Sequence, residues 1–243
     1  MHLSHAHISW DSDLVMKAID QCDRYYAETE LDKNINQLYP GYELLPEGRS
    51  LSHFIGEKKY QKVSRILLKS FGLDLDKYKY LRPLFLQGIL DNLIASGGKV
   101  AMALDHHLFN YALARGIPTG GVESIHEQME IIPQLKVEDQ CKTLLKIARN
   151  TKAYRRRINK LISMYNEKDA AGLYRIGRKQ LGKYRNLMLY DRNEKMGLRI
   201  SQILSEDTAF IAIGAGHLYG ATGVLTSLKK QGYRFVSGLD SPE

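Results

Sequence analysis

Four acidic or imidazole side chains stand where short apolar segments of the sequence end. They are Glu28 and Glu30 at the end of the first segment, Glu123 after the second and His217 after the third. In open α/β sheets, ligands bind outside the carboxyl ends of the strands, where the following loop or helix supplies polar groups. Because each segment predicts a different strand, these side chains can converge on one polar site.

Three histidines near the start of the chain widen the chemistry available to such a site. His2, His5 and His7 lie within the first seven residues. One of them, with His217 and Glu28, would form a His/His/Glu set, the ligand types that hold zinc, manganese or iron and leave a position open for water. A solvated tail or an accidental metal-binding cluster is the alternative interpretation.

The turn after the third segment reads Gly214-Ala215-Gly216-His217. Small residues let the backbone turn tightly and approach a ligand, which would direct His217 toward the cleft. A glycine-rich turn after a strand is common, so this motif alone does not define a function. The sequence has no HExxH, GxSxG, P-loop or dinucleotide-type GxGxxG motif, so zincin, serine-hydrolase, nucleotide-binding and Rossmann functions lack support.

The hydrophobic pattern predicts the elements that must position these residues. They are a capped helix beginning at 11–13, a strand over 25–31, helices within 50–96, a helix over 103–115, a strand over 118–122, helices over about 124–204, a strand over 209–213, a helix over 218–230 and a strand over 233–236. Strand, glycine-rich turn, helix and strand in this order form a crossover unit. The predicted class is α/β with a large excess of helix.

Size and composition predict one large globular domain with insertions. The chain has 243 residues, of which 44% are apolar and 26% charged. It shows neither an apolar signal-peptide segment nor a run long enough to span a membrane. Cys22 and Cys141 are too few for a disulfide framework and are expected to be small buried residues.

The positive charge is unevenly distributed. The net charge is +8, yet residues 142–199 contain 17 Lys/Arg and 4 Asp/Glu, a net of +13. Such a block is typical of surfaces that bind nucleic acid, an acidic partner or a membrane. Apolar residues at helical spacing within the block favour the alternative, a solvated helical face.

Several motifs, in the same order along the chain, resemble those of the TraB/PrgY/GumN family, whose animal branch is the Tiki metalloproteases. They are YAE at 26–28, LPEGRSL at 45–51, LRPL at 81–84, Asp105 with ALARG at 112–116, GVESIHEQ at 121–128, DRN at 191–193 and FIAIGAGHLYGATGVL at 210–225, continuing to Gly232 and Tyr233. The similarity covers nearly the whole chain, and the combination is far more specific than any single motif.

The resemblance implies an α/β fold of the EreA/ChaN/Tiki type, with a small central mixed or parallel sheet flanked by many helices. It implies a single domain over 1–243, with a helical insertion at about 33–100, a helical segment at about 124–204 and a C-terminal GxxH unit at 207–237. Met1 and His2 look like the last two residues of the family's first GxxH motif. We therefore expect the chain to be truncated within that motif, either because the start is set too far downstream or because the protein is a shortened variant. In the first case the full-length protein would be exported or envelope-associated, as relatives often are; in the second the chain would be cytosolic.

The resemblance also implies a metal-dependent hydrolase, most of all a peptidase acting on peptides or protein N-termini. His2, His217 and Glu28 would hold a divalent ion, Mn, Co or Zn. Glu123 would act as general base or as a carboxylate that supports the metal ligands without binding the metal itself. Arg192 would hold a substrate carboxylate or a site glutamate. A buried structural ion pair is the alternative role of Glu28, Glu123 and Arg192.

Further expectations concern the partners. The substrate-binding residues would be Gly214, Gly216, Arg192 and Asn193, and the partner a peptide or protein substrate. The alternative within the same family is a non-catalytic protein that sequesters a peptide in this cleft. We expect no specific nucleic-acid binding, and homo-oligomer formation is possible.

Overall fold

The computed structural model describes residues 10–97 and 103–236. Their helices are α1 (Ser12–Asp20), α2 (Ile35–Leu38), α3 (Leu51–Ile55), α4 (Glu57–Phe71), α5 (Pro83–Ala95), α6 (Leu104–Ala114), α7 (Ile125–Ile131), α8 (Val137–Arg149), α9 (Thr151–Asn166), α10 (Ala170–Leu181), α11 (Asp191–Glu206) and α12 (Val224–Lys230). Their strands are β1 (Arg24–Thr29), β2 (Thr119–Glu123) and β3 (Ala209–Ala212). The small parallel sheet among many helices confirms the predicted fold class.

The chain forms two compact units. The described part of the first, which we call the helical unit, comprises 35–97, 103 and 132–163. The described part of the second, the sheet unit, comprises 10–34, 104–131 and 164–236. All three strands therefore belong to one unit, together with the residues that follow each of them.

In the sheet unit, the strand order is β2-β1-β3, and both pairs are parallel. Tyr25 and Ala27 of the central strand pack with Ile19 of α1 and Phe109 of α6. Tyr26 points the other way and joins the apolar cluster of α11 and α12. Successive strand residues face opposite sides of a sheet, so β1 is covered on both, as parallel strands require.

The helical unit has its own apolar core. Its fully buried side chains include Leu51, Leu67, Leu75, Leu86, Leu90, Leu144 and Ile158. Asp91 is also buried there, and its carboxylate accepts a hydrogen bond from the Tyr154 hydroxyl. Burial raises the pKa of Asp91, and the bond from Tyr154 offsets part of that effect. In neither unit does a described helix combine the length and apolar composition needed to cross a membrane.

The end of the described chain corrects the sequence prediction. Residues 233–236 do not form the predicted strand, because the Tyr233 N–H caps α12 at the Leu228 carbonyl and its hydroxyl bonds to Ser201. The preceding helix begins at Val224 rather than at 218. Gly220, with φ of +94°, turns the chain just before it. The glycine-rich segment before Val224 therefore shifts the start of the helix toward the C-terminus.

One strand contact requires glycine. A Cβ at Gly121 of β2 would lie 2.5 Å from the backbone nitrogen of Glu30 and 2.6 Å from the carbonyl oxygen of Glu123. Both obstacles are backbone atoms, which cannot move aside as a flexible side chain can. The close approach of β2 to β1 at this point therefore depends on the missing side chain.

We expect Gly121→Ala to lower the free energy of unfolding by about 1–3 kcal/mol, the usual cost of forcing extra atoms into a packed place. Gly177→Ala is the matched control, since a Cβ there has nothing within 4 Å and alanine favours the helix. Urea denaturation of both variants measures the effect. Equal stability of the Gly121→Ala variant and the unsubstituted protein would contradict the close strand contact.

Candidate active site at the carboxyl ends of the strands

The carboxyl ends of the three strands bring the predicted polar residues together. Glu28 is the penultimate residue of β1, and Glu123 is the last residue of β2, in register with Thr29. β3 ends at Ala212, so the turn that carries Gly214 and His217 begins at the same edge of the sheet.

Arg192 joins the two carboxylates. Its Nε lies 3.0 and 3.1 Å from the two Glu123 carboxylate oxygens, and its Nη2 lies 2.5 Å from Glu123 Oε2 and 2.7 Å from Glu28 Oε1. Only 3% of the Glu123 side chain and 14% of the Arg192 side chain are exposed. Burial opposes the charge of Arg192, but its bonds to Glu123 and its attraction to both carboxylates outweigh burial and raise its pKa.

Glu28 has two further neighbours. Its Oε2 accepts the Gly214 N–H at 2.9 Å, and its Oε1 lies 3.7 Å from His217 Nε2. Burial alone would raise the pKa of Glu28, but attraction to His217 and Arg192 and the Gly214 bond outweigh it and lower that pKa to about 2. Glu28 is therefore an anion at neutral pH.

A buried amide orients His217. The imidazole Nδ1 lies 2.6 Å from Asn193 Oδ1, and Asn193 is fully buried. In this orientation of the amide, whose Nδ2 has no hydrogen-bond partner, the carboxamide oxygen can only accept, which places the ring hydrogen on Nδ1 and leaves the Nε2 lone pair toward Glu28. Burial is the main cause that lowers the pKa of His217, so its ring is neutral at pH 7. A neutral imidazole with a free Nε2 is the form that binds metals.

The start of α11 supplies both of these partners. Consecutive helical residues point about 100° apart, so Arg192 reaches the two carboxylates while Asn193 reaches His217. A π-helical turn over Asn186–Tyr190 precedes them, and its Met188 carbonyl accepts a bond from Arg192 Nη1 at 3.4 Å. Such turns are frequent at functional sites. The family motif includes both residues, but no local sequence signal predicts the π turn or the pairing of Asn193 with His217.

A capping box at the start of α7 sets the direction of the chain after Glu123. The Glu127 carboxylate accepts the N–H of Ser124, and the Ser124 hydroxyl accepts the N–H of Glu127. Arg199 holds the same carboxylate through contacts of 2.6 and 2.8 Å, and the bond from Arg199 is the main cause that lowers the pKa of Glu127 to about 2.

Two open cavities, of about 330 and 280 Å³, lie beside Arg199. Neither Glu28 nor His217 lines them.

The other predicted residues have different surroundings. Glu30 lies beyond β1, where it binds Lys33 and the N–H of Ile125, so it does not join this cluster. A Cβ at Gly214 would approach Glu28 Oε2 to 2.9 Å, whereas one at Gly216 would meet nothing within 4 Å. His2 lies outside the described residues.

The cluster fits a divalent cation in charge and in ligand type. Glu28, Glu123, Arg192 and a neutral His217 sum to one negative charge. Glu28 Oε1 and His217 Nε2 are 3.7 Å apart, less than the sum of two metal bonds of about 2.1 Å, so both can bind one ion. Within 10–97 and 103–236, no group of three or more His, Cys, Asp or Glu residues is arranged to hold a metal. A complete ligand set would therefore need a further donor, such as water or His2.

Comparisons with known proteins show the family to which the chain is similar. A family model described as the TraB/PrgY/gumN family matches residues 1–236. Over 53 residues, the chain is 42% identical to Metalloprotease TIKI1 of Danio rerio and to the protein of the same name from Xenopus tropicalis. This stretch is 21% of the chain but only 11% and 10% of the two relatives, so the chain spans about a tenth of their length. No solved structure gives a significant match.

We expect the pair of Glu127 and Arg199 to lose its stabilising effect in acid. The pKa of Glu127 is about 2 in the folded protein and about 4.3 in an unfolded chain, so the stabilisation is complete above about pH 4.3 and is lost as the pH falls toward 2. The side chains are 21% and 39% exposed. Solvent therefore screens the pair, and Glu127→Gln should cost about 1 kcal/mol at neutral pH.

Urea denaturation at about pH 7, 5 and 3 measures this effect. The difference between Glu127→Gln and the unsubstituted protein should be largest at neutral pH and should narrow at the lowest pH. The matched control is Glu130→Gln on the same helix, where the Glu130 side chain is 63% exposed and the expected change is within about 0.5 kcal/mol. A Glu127→Gln effect that stays constant over the whole range would argue against the pair.

A second prediction concerns the tautomer of His217. We expect ¹⁵N NMR of the neutral ring to show hydrogen on Nδ1. Asn193→Asp retains an acceptor and should preserve this tautomer. Asn193→Leu removes the acceptor and should populate the Nε2–H form, which can donate to Glu28. Hydrogen on Nε2 in the unsubstituted protein would contradict the proposed orientation of His217.

Proposed function

Because the chain belongs to the TraB/PrgY/gumN family, we propose that it is a metal-dependent hydrolase and that the cluster of Glu28, Glu123, Arg192, Asn193 and His217 is its active site. The family and the short similarity to Metalloprotease TIKI1 connect the chain to hydrolases and peptidases at the level of the family. The proposed reaction is cleavage of a peptide bond in peptides or at protein N-termini.

One observation carries this proposal. A low-pKa carboxylate, Glu28, and a neutral imidazole, His217, face each other at 3.7 Å. Asn193 binds the far nitrogen of the imidazole, Gly214 binds Glu28 Oε2, and Arg192 Nη2 also bonds to Glu28 Oε1. An ion pair that served only the fold would need Arg192 and a carboxylate, but not a buried histidine whose tautomer directs a lone pair at Nε2 toward that carboxylate. Preorganised ligands of this kind are typical of metal sites.

Each residue then has a separate task. Glu28 and His217 would hold the ion, with His2 as a third ligand. When bound, Mn, Co or Zn would supply Lewis-acid activation of water and of the scissile carbonyl. Asn193 keeps the hydrogen of His217 on Nδ1, and Gly214 fixes one oxygen of Glu28.

Glu123 and Arg192 support the ligands rather than the substrate. The Glu123 carboxylate makes three contacts to Arg192. This favours a role in positioning the metal ligands through Arg192 over a role as general base. Arg192 Nη2 bonds to both glutamates, so a site glutamate, and not a substrate carboxylate, is its partner. Its bond to Glu28 limits the movement of that ligand.

The turn after β3 leaves room for a peptide beside the cluster. Gly216 leaves open space for a backbone to approach, since no atom lies within 4 Å of where its Cβ would be.

The test is mass spectrometry of a diverse peptide pool incubated with the protein, with added Mn²⁺, Co²⁺ or Zn²⁺ or with a chelator. We expect cuts that need metal, and we expect His217→Ala to lose both metal retention and turnover. The loss should exceed the roughly 100-fold that removal of a residue supporting a ligand typically costs. His126→Ala is the matched control, because His126 is 65% exposed on α7 and pairs with Glu130.

Two results would overturn the proposal. Turnover that survives His217→Ala would remove His217 from the site. Saturable peptide binding by the folded protein, without cleavage and unaffected by chelator, would favour peptide sequestration.

A further inference from the structure

The excess of positive charge lies in the helical unit and not in the unit that holds the candidate site. The described residues of the helical unit, 35–97, 103 and 132–163, contain 18 Lys/Arg and 8 Asp/Glu, a net of +10. The described residues of the sheet unit, 10–34, 104–131 and 164–236, contain 16 Lys/Arg and 17 Asp/Glu, a net of −1. The catalytic proposal uses no described residue of the helical unit, and His2, its proposed third ligand, lies outside the described residues.

Helix α4 places four of its five cations in one line, with Lys59 as the exception. Lys58, Lys62, Arg65 and Lys69 recur at intervals of four, three and four residues, and all are exposed. This spacing places them on one face of a helix, over a length of about 16 Å. The opposite face is buried through Tyr60, Val63 and Leu67, and Glu57 is the only acidic residue of the helix.

The start of α9 extends this line of charge. Ser70, next to Lys69, has its hydroxyl 3.3 Å from the Thr151 hydroxyl. Arg155 Nη2 donates to the Ser70 carbonyl at 2.8 Å. Lys152 and Arg155 therefore lie beside the last turn of α4. We call the six exposed cations Lys58, Lys62, Arg65, Lys69, Lys152 and Arg155 the basic face.

The apolar residues near the basic face distinguish between possible partners. Leu68 of α4 lies between two of its cations in sequence and is 55% exposed. The aromatic rings at the junction are already engaged, since Phe71 packs edge-on against buried Tyr154 and under Arg155. Single-stranded nucleic acid is bound by cations together with exposed rings on which bases stack. Cations around an exposed leucine suit a lipid surface better.

We propose that the basic face binds an anionic phospholipid membrane surface. Lysines and arginines in a cluster of four to eight are attracted to anionic headgroups without a shaped pocket. The leucine would enter the boundary between headgroups and acyl chains. The site in the sheet unit takes no part in this contact, so the proposal is independent of the peptidase activity.

The experiment is co-sedimentation of the full chain with vesicles of phosphatidylcholine alone or of phosphatidylcholine with one quarter phosphatidylglycerol. We expect binding only to the second kind, weakening steeply as salt shortens the Debye length from about 10 Å at 0.1 M to about 3 Å at 1 M. The test variant is Lys58→Gln with Lys62→Gln and Lys69→Gln. Glutamine is a good helix former, so α4 should persist, as circular dichroism would verify.

The matched control removes three exposed cations from the sheet unit: Arg175→Gln, Lys179→Gln and Lys230→Gln. Both variants have the same net charge. We expect the α4 variant to partition about 100-fold less onto anionic vesicles and the control to stay within about threefold. Replacement of the three α4 lysines by arginine should preserve binding.

Three results would overturn the proposal. The first is an equal loss of binding in the two variants, which would indicate a response to net charge alone. The second is absence of binding to anionic vesicles at low salt. The third is displacement of the protein from the vesicles by equimolar oligonucleotide. The last would identify nucleic acid as the better partner of the basic face.

Discussion

The contact between Arg192 and the carboxylates of Glu28 and Glu123 is the one on which the site depends. The two glutamates come from neighbouring strands and are held near each other; the Glu123 side chain is 3% exposed and the Glu28 side chain 27%. Removing one partner from a buried ion pair typically costs about 3–5 kcal/mol, because a charge is left without compensation. Arg192 therefore binds the start of α11 to the sheet. Its neighbour Asn193 is positioned with it, and through Asn193 so is the imidazole of His217.

The sequence predicted the sheet and its polar edge because both follow from local patterns. Buried parallel strands read as short apolar runs, and the residues after them must lie at one edge, which placed Glu28, Glu123 and His217 in a single region. Glu30 follows the same strand, but its carboxylate binds Lys33 and the backbone N–H of Ile125 at the start of α7 instead of the site. The π turn before Arg192, the bond between Asn193 and His217 and the loss of the strand at 233–236 depend on tertiary contacts. No spacing in the sequence encodes those contacts.

The separation of the chain into two units gives the charge pattern a physical meaning. Along the sequence, the block at 142–199 runs across α8 to α11 and looks continuous. In the structure, its first part belongs to the helical unit together with the cations of α4, which the sequence places some eighty residues away. Its last part supplies Arg192 and Arg199, whose charges are offset by glutamates. Cations that neutralise glutamates stabilise the sheet unit, whereas the exposed cations of the helical unit remain available to bind a partner.

The central claim is that Glu28 and His217 bind a catalytic metal ion. It is tested most directly by anomalous diffraction from crystals of the protein grown with Mn²⁺ or Zn²⁺, using a preparation whose peptide cleavage depends on that metal. We predict an anomalous peak within bonding distance of the Glu28 carboxylate and His217 Nε2, and the loss of both peak and cleavage in His217→Ala. A metal-dependent preparation whose peak lies elsewhere, with Glu28 and His217 still in contact only with protein atoms, would contradict the account.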